Sequence, residues 1–150
     1  YISKYSKYIE KEIREDCVNY AKSKIAFESC DYEKALEYSG KCNFSIPMMI
    51  KDIKFIKLQS FLQLNYFDAF KSETDTFRHF LANTTGIPAN VIEYDKKVIK
   101  YFVRYARIKE NNEKSEMELF YEELIKLNSG NDYLLWLIEK VSLWLKGIVK

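Results

Sequence analysis

A short sequence pattern returns 34 residues after its first appearance. Residues 31–36 read DYEKAL, and residues 65–70 read NYFDAF. Both copies place a polar turn-forming residue, a tyrosine, two variable positions, an alanine and a large apolar residue in the same order. This period is typical of helix–turn–helix units that stack on one another. The spacing therefore predicts stacked helical hairpins.

Apolar periodicity divides the chain into about seven helices, and no segment alternates with the period of a strand, so we expect no sheet. Asp31, Asn65 and Asp132 are the predicted N-caps of three of them, because short polar side chains accept hydrogen bonds from the first backbone N–H groups of a helix. Pro47 suits the first turn of another helix, where its missing N–H costs nothing. The predicted helices are approximately 3–27 (with a candidate break near 15–16), 31–42, 47–64, 65–81, 91–110, 114–127 and 132–149.

The segment 82–90 is the longest stretch rich in helix breakers, and it contains both Gly86 and Pro88. A cluster of this kind between helices marks a boundary. We expect residues 1–150 to form a single helical domain with a break between two sub-units near 82–90. Because the chain begins at Tyr1 rather than Met, we also expect it to be a fragment of a longer protein.

The three cysteines favour a cytoplasmic location. Cys17, Cys30 and Cys42 are odd in number and widely spaced, and they form no CxxC pair. A disulfide framework normally uses an even number of cysteines. We therefore expect reduced thiols, which persist in a reducing compartment such as the cytoplasm.

The apolar C-terminal stretch does not predict a membrane span. Glu139, Lys140 and Lys146 interrupt it, and its longest uncharged run is six residues. A helix that crosses a bilayer needs about 20 consecutive apolar residues. An amphipathic packing helix accounts better for this stretch.

The sequence contains none of the motifs that commonly mark a metal site, a phosphate-binding loop or a catalytic nucleophile, and its acidic residues are expected to lie on solvated helix faces. His79 is the only histidine, and no HExxH or CxxC spacing is present. The four glycines are isolated from one another, so they form neither a phosphate-binding loop nor a nucleophile elbow. We therefore expect a protein that is not an enzyme and that uses no metal or other cofactor.

The repeated unit resembles the tetratricopeptide repeats over about residues 16–83. Ala35 stands at the family's small position in the second helix of a hairpin, and Pro47 follows where the family tends to place proline. The second copy departs from the pattern with Leu81 at the proline position. The resemblance implies an all-α, right-handed α-solenoid of antiparallel helical hairpins. Residues 78–150 are also similar to the helical C-terminal parts of uncharacterised bacterial proteins that carry tetratricopeptide-like arrays.

The resemblance implies a function as a non-catalytic scaffold for protein–protein interaction. In this family the first helix of each hairpin lines a concave groove that binds a peptide or protein. Lysines beside aromatic rings in that groove would suit a partner with acidic character. When the family's groove positions are transferred to this sequence one by one, the predicted groove residues are Tyr20, Lys24, Phe27, Lys51, Lys54, Leu58 and Phe61. The alternative is that the two phenylalanines are core residues and the lysines are only solvated.

A second candidate surface lies on the predicted helix 91–110. Its basic side chains recur at spacings of three and four residues and alternate with tyrosines, an arrangement that could hold single-stranded nucleic acid. This basic stripe comprises Lys97, Lys100, Arg104 and Arg107. A net charge of only +2 makes nucleic-acid binding the alternative function rather than the main one. A third alternative is self-association near Trp136 and Trp144, and the sequence leaves the oligomeric state open.

Overall fold

A computed structural model describes residues 2–148, with side chains at residue 8 and residues 10–148. Over this range the chain has seven helices and no strand, which confirms the predicted all-α class. None of these helices combines the length and the apolar content that crossing a bilayer requires. The helices are α1 (Ile2–Glu28), α2 (Tyr32–Gly40), α3 (Pro47–Leu64), α4 (Phe67–Asn83), α5 (Ala89–Asn111), α6 (Lys114–Leu127) and α7 (Asp132–Leu145).

The helices form two compact units that divide after Pro88. We call α1–α4 unit 1 and α5–α7 unit 2. The division lies inside the breaker-rich segment 82–90, where Gly86 has a φ of 88°. Glycine adopts this left-handed conformation readily because it has no Cβ atom. Ile87 follows Gly86 and is buried, so the connection bends at the glycine and its next side chain is enclosed.

The core of unit 1 depends on a close approach of α2 to its neighbours. Consecutive helices pack against each other, and α1 also contacts α3. Ala35 of α2 is fully buried in a cluster with Ala26 and Ile56, and its short side chain lets the helix axes approach closely. The hydroxyls of Ser23 and Ser39 lie 2.6 Å apart in the same interior, so the buried polar groups of α1 and α2 satisfy each other.

The turn of the first hairpin in unit 1 recurs in the second hairpin after 35 residues, one more than the 34 residues of the sequence pattern. Cys30 and Asn65 end α1 and α3 with φ values of 61° and 60°, and Asp31 and Tyr66 are the N-caps that follow them. The prediction that Asn65 caps α4 is therefore wrong. Asn65 instead ends α3 in the left-handed conformation, which asparagine tolerates better than most residues.

The other two predicted N-caps have different outcomes. The Asp31 carboxylate accepts a hydrogen bond from the Lys34 N–H, which confirms it as the N-cap of α2. Asp132 is not the N-cap of α7, because the Asn131 side chain accepts the N–H groups of Tyr133 and Leu134 at 2.9 and 3.2 Å. Adjacent Asn and Asp residues are equivalent in cap propensity, so the sequence could not separate them. The candidate break in the first helix is also wrong, since α1 is continuous.

Unit 2 is built around α5, which packs against both α6 and α7. The ring of Phe102 lies 5.7 Å from the ring of Trp136 on α7, and the ring of Tyr101 lies 6.3 Å from that of Phe120 on α6. Aromatic pairs at these separations add attraction beyond their buried area. Two neighbouring faces of α5 are thereby fixed against the other two helices.

Replacing Ala35 with leucine tests the close approach of α2 in unit 1. We expect Ala35→Leu to lower the free energy of unfolding by about 1–3 kcal/mol, because added methyl groups overpack a filled core. Urea unfolding followed by far-UV circular dichroism measures this change. The matched control is Ala21→Leu on the exposed face of α1, for which we expect a change within about 0.5 kcal/mol. Equal effects of the two substitutions would contradict the packing.

Candidate binding cleft on the second unit

A cavity of about 670 Å³ opens on unit 2 between α5 and the residues that join α6 to α7. Sites that bind small molecules or side chains have volumes of roughly 300–1,000 Å³, so this cavity is large enough for a ligand. We call it the unit-2 cleft. Its lining residues are Tyr94, Lys97, Val98, Lys100, Tyr101, Arg104, Leu127, Ser129 and Leu134.

One face of α5 supplies most of the wall. Tyr94, Lys97, Tyr101 and Arg104 are spaced by three or four residues, and this spacing places side chains on the same side of a helix. Val98 and Leu134 form the floor, since they are 0% and 4% exposed. The cleft therefore has an apolar base with basic and aromatic groups above it.

The connection between α6 and α7 supplies the opposite wall. Asn128 ends α6 with a φ of 46°, and the turn brings Ser129 towards α5. The hydroxyls of Tyr94 and Ser129 lie 2.6 Å apart, and the Ser129 hydroxyl also accepts the N–H of Asn131 at 3.2 Å. These hydrogen bonds connect Tyr94 of α5 to the residues that precede α7, and so link the two walls of the cleft.

The three cations that line the cleft differ in their surroundings. Lys97 and Lys100 are exposed, and neither makes an ion pair with another described residue. The Arg104 guanidinium lies 4.9 Å from the centroid of the Phe120 ring and forms an ion pair with Glu123. Two ammonium groups are thus available to a ligand, whereas the guanidinium already has a carboxylate partner.

This arrangement suits a negatively charged, extended ligand. Lys97 and Arg104 are separated by roughly 10 Å along the helix axis, about the length of three residues of extended peptide. Tyrosine rings beside the cations offer apolar contact area to the same ligand. Across the described residues, no group of three or more His, Cys, Asp or Glu side chains could hold a metal ion.

The structure brings together three residues of the predicted basic stripe, namely Lys97, Lys100 and Arg104. Arg107 is exposed and is not among the residues that line the cleft. Sequence reasoning missed the opposite wall, including Ser129 and Leu134, because these residues follow α5 by a whole helix. No local spacing in the sequence connects them to the stripe.

Part of the predicted groove in unit 1 lies where α1 faces α3. The Tyr20 hydroxyl donates a hydrogen bond to Asp52 at 3.1 Å, and the Lys24 ammonium lies 5.0 Å from the centroid of the Tyr20 ring. A hydrogen bond with Tyr20 raises the pKa of Lys24. Phe27 and Phe61 are both partly buried, and Phe27 packs against the apolar cluster around Ala35.

The remaining groove residues are largely enclosed. Leu58 is fully buried and Lys51 is 7% exposed. The Lys54 ammonium pairs with Glu73 at 3.4 Å, with side chains that are 14% and 16% exposed. The groove of unit 1 therefore stays a prediction, and two of its three lysines are less available to a ligand than Lys97 and Lys100 of the unit-2 cleft.

The chain matches no protein-family model, no curated protein and no solved structure. Because a helical fold alone hosts many functions, the chemistry of the cleft carries the functional information.

The floor and the rim of the cleft should differ in their effect on stability. Both tryptophans lie in α7, so tryptophan fluorescence during guanidinium unfolding reports on unit 2. We expect Leu134→Ala to lower the free energy of unfolding by about 2–5 kcal/mol, because it leaves a cavity in the core. Lys97→Gln combined with Lys100→Gln should change it by less than about 0.5 kcal/mol, as is usual for surface positions. A large loss of stability in the lysine variant would give these residues a structural role.

Proposed function

We propose that this chain is a non-catalytic protein–protein interaction scaffold whose unit-2 cleft binds an acidic segment of a partner protein. The observation that carries the proposal is the convergence of Lys97, Lys100 and Arg104 on one cavity with an apolar floor. Cations beside aromatic rings favour carboxylate-bearing side chains, and apolar contact area adds affinity that charge alone does not provide.

Contacts within the chain hold residues of the cleft in place, which supports a role in recognition. The Tyr94–Ser129 hydrogen bond holds the two walls together, and the Phe120 ring supports the Arg104 guanidinium. A preformed site pays less entropy on binding than a site that must order itself. An extended segment could therefore bind without folding the receptor.

The charges of α6 favour a short acidic segment over a continuous phosphate backbone. The acidic side chains of α6 outnumber its lysines; they are Glu116, Glu118, Glu122 and Glu123, against Lys114 and Lys126. A long polyanion would approach these carboxylates as well as the cleft, and like charges repel. A peptide of a few residues meets fewer of these carboxylates than a long polyanion does.

The helix packing of unit 1 also bears on the architecture of the chain. We infer that the hairpins stack as in a right-handed tetratricopeptide-like solenoid, supported by the packing of α1 on both α2 and α3 and by the repeated turns of unit 1.

We place the protein in the cytoplasm, supported by the three cysteines, which are free thiols. Burial raises the pKa of the Cys42 thiol to about 11, so this thiol is protonated and unreactive at neutral pH.

Binding of a short fluorescent poly-glutamate peptide, measured by anisotropy, tests the function. We expect Lys97→Gln combined with Lys100→Gln to weaken binding about five- to thirtyfold, since each exposed charge pair contributes up to about 1 kcal/mol. Binding to the unaltered protein should weaken as salt is added. A poly-glutamine peptide of equal length, which lacks the charges, should not bind.

The matched control is Lys22→Gln combined with Lys24→Gln, which removes two exposed charges from α1 and one cation of the predicted groove in unit 1. We expect this variant to bind the peptide as the unaltered protein does. The reverse result, with binding lost in the α1 variant and retained in the cleft variant, would move the site to the unit 1 groove and contradict the proposal.

Nucleic-acid binding is the second candidate, favoured by one observation: Tyr94 and Tyr101 line the same cavity as Lys97 and Lys100. Bases could stack on these rings while the ammonium groups contact phosphates. Single-stranded RNA and DNA homopolymers in the same anisotropy assay separate the two candidates. Tight binding of an oligonucleotide with a steep salt dependence, together with no binding of poly-glutamate, would replace the protein-binding proposal.

A further inference from the structure

Glu123 lies on the side of α6 that faces Arg104, beside the residues that line the unit-2 cleft. Phe120, Glu123 and Leu127 are spaced by three and four residues, so their side chains share one face of the helix. Phe120 contacts the Arg104 guanidinium, and Leu127 lines the cavity. Glu123 stands between them and forms an ion pair with Arg104.

We propose that Glu123 is an internal competitor of the ligand at the unit-2 cleft. Its carboxylate pairs with the Arg104 guanidinium, which a ligand carboxylate would otherwise contact. This inference rests on the proposed function, because it assigns regulation to the same acidic-segment site. Arginine binds carboxylates through parallel N–H groups, and the Glu123 side chain supplies within the chain the chemical group that the ligand would bring.

A ligand carboxylate can replace the Glu123 carboxylate in the ion pair with Arg104 at little cost in stability. The two side chains are 31% and 47% exposed, and ion pairs at this exposure contribute little to stability. The Phe120 ring lies beside the Arg104 guanidinium and contributes a contact that does not involve Glu123. A ligand carboxylate can therefore replace that of Glu123 without reorganising α5.

The competitor makes the cleft selective for strongly acidic segments. Lys97 and Lys100 attract any anion, because they make no ion pair with another described residue. Arg104 becomes available only to a ligand that displaces Glu123. A segment with two carboxylates spaced to reach both the lysines and Arg104 gains from this exchange, whereas a segment with one carboxylate contacts the lysines alone.

Two isosteric substitutions on α6 test the inference with the poly-glutamate peptide and the anisotropy assay. Glu123→Gln removes the competing charge, and we expect binding to become about two- to fivefold tighter, the range that corresponds to one exposed ion pair. Glu122→Gln is the matched control, since it makes the same change in net charge at the neighbouring exposed position. We expect it to alter affinity by less than about 1.5-fold, because screened charges outside the contact act weakly.

The same pair of variants in an Arg104→Gln background separates competition from general electrostatics. If Glu123 competes for Arg104, the gain from Glu123→Gln should disappear when Arg104 is absent, as a double-mutant cycle would reveal. Equal gains from Glu123→Gln and Glu122→Gln, or a gain that persists without Arg104, would overturn the inference.

The outcomes also distinguish this inference from the function on which it rests. Peptide binding that depends on Lys97 and Lys100 but is unchanged by Glu123→Gln would leave the function standing and remove the competitor. Peptide binding that does not depend on the two lysines would remove the function itself. Thermal unfolding of each variant identifies any loss of binding that comes from loss of the fold.

Discussion

The packing of α5 against α6 and α7 is the constraint on which the unit-2 cleft depends. One face of α5 is buried through residues such as Val98 and Phe102, and the adjacent face carries Lys97 and Lys100 into solvent. Since residues on a helix are fixed relative to one another, burying the first face determines where the second one points. The connection after α6 then covers the basic face from one side, and a cavity results where a lone helix would present only a convex surface.

The predicted groove of unit 1 and the unit-2 cleft differ in the surroundings of most of their lysines, and this difference favours the cleft as the candidate site. In unit 1, Lys54 pairs with Glu73, and Lys51 is almost fully enclosed. In unit 2, Lys97 and Lys100 stay solvated above an apolar floor. Solvated cations next to apolar area bring little stability to the fold, yet they supply both charge and contact area to an anionic partner. Lys97 and Lys100, which are solvated and line a cavity with an apolar floor, are therefore assigned to binding.

Periodicity predicted the helices well, because burial of one helical face is a local property of the sequence. The apolar pattern placed all seven helices with end shifts of a few residues, and the break at 82–90 contains the division between the units. The roles of single residues at helix ends, and contacts between distant helices, could not be predicted from the sequence. Asn65 has side-chain chemistry suited to an N-cap and a backbone suited to a left-handed turn, and only the fold decided between them. The far wall of the cleft comes from α6 and α7, and neither Ser129 nor Leu134 carries a signal that links it to α5.

Differential labelling of lysines by an acylating reagent, read by mass spectrometry with and without poly-glutamate peptide, tests the central claim most directly. A cation covered by a ligand reacts more slowly than one left in solvent. The account predicts that Lys97 and Lys100 become protected when the peptide binds, while Lys22 and Lys24 on the exposed surface of α1 react as before. Protection of Lys24 with no change at Lys97 and Lys100 would contradict it.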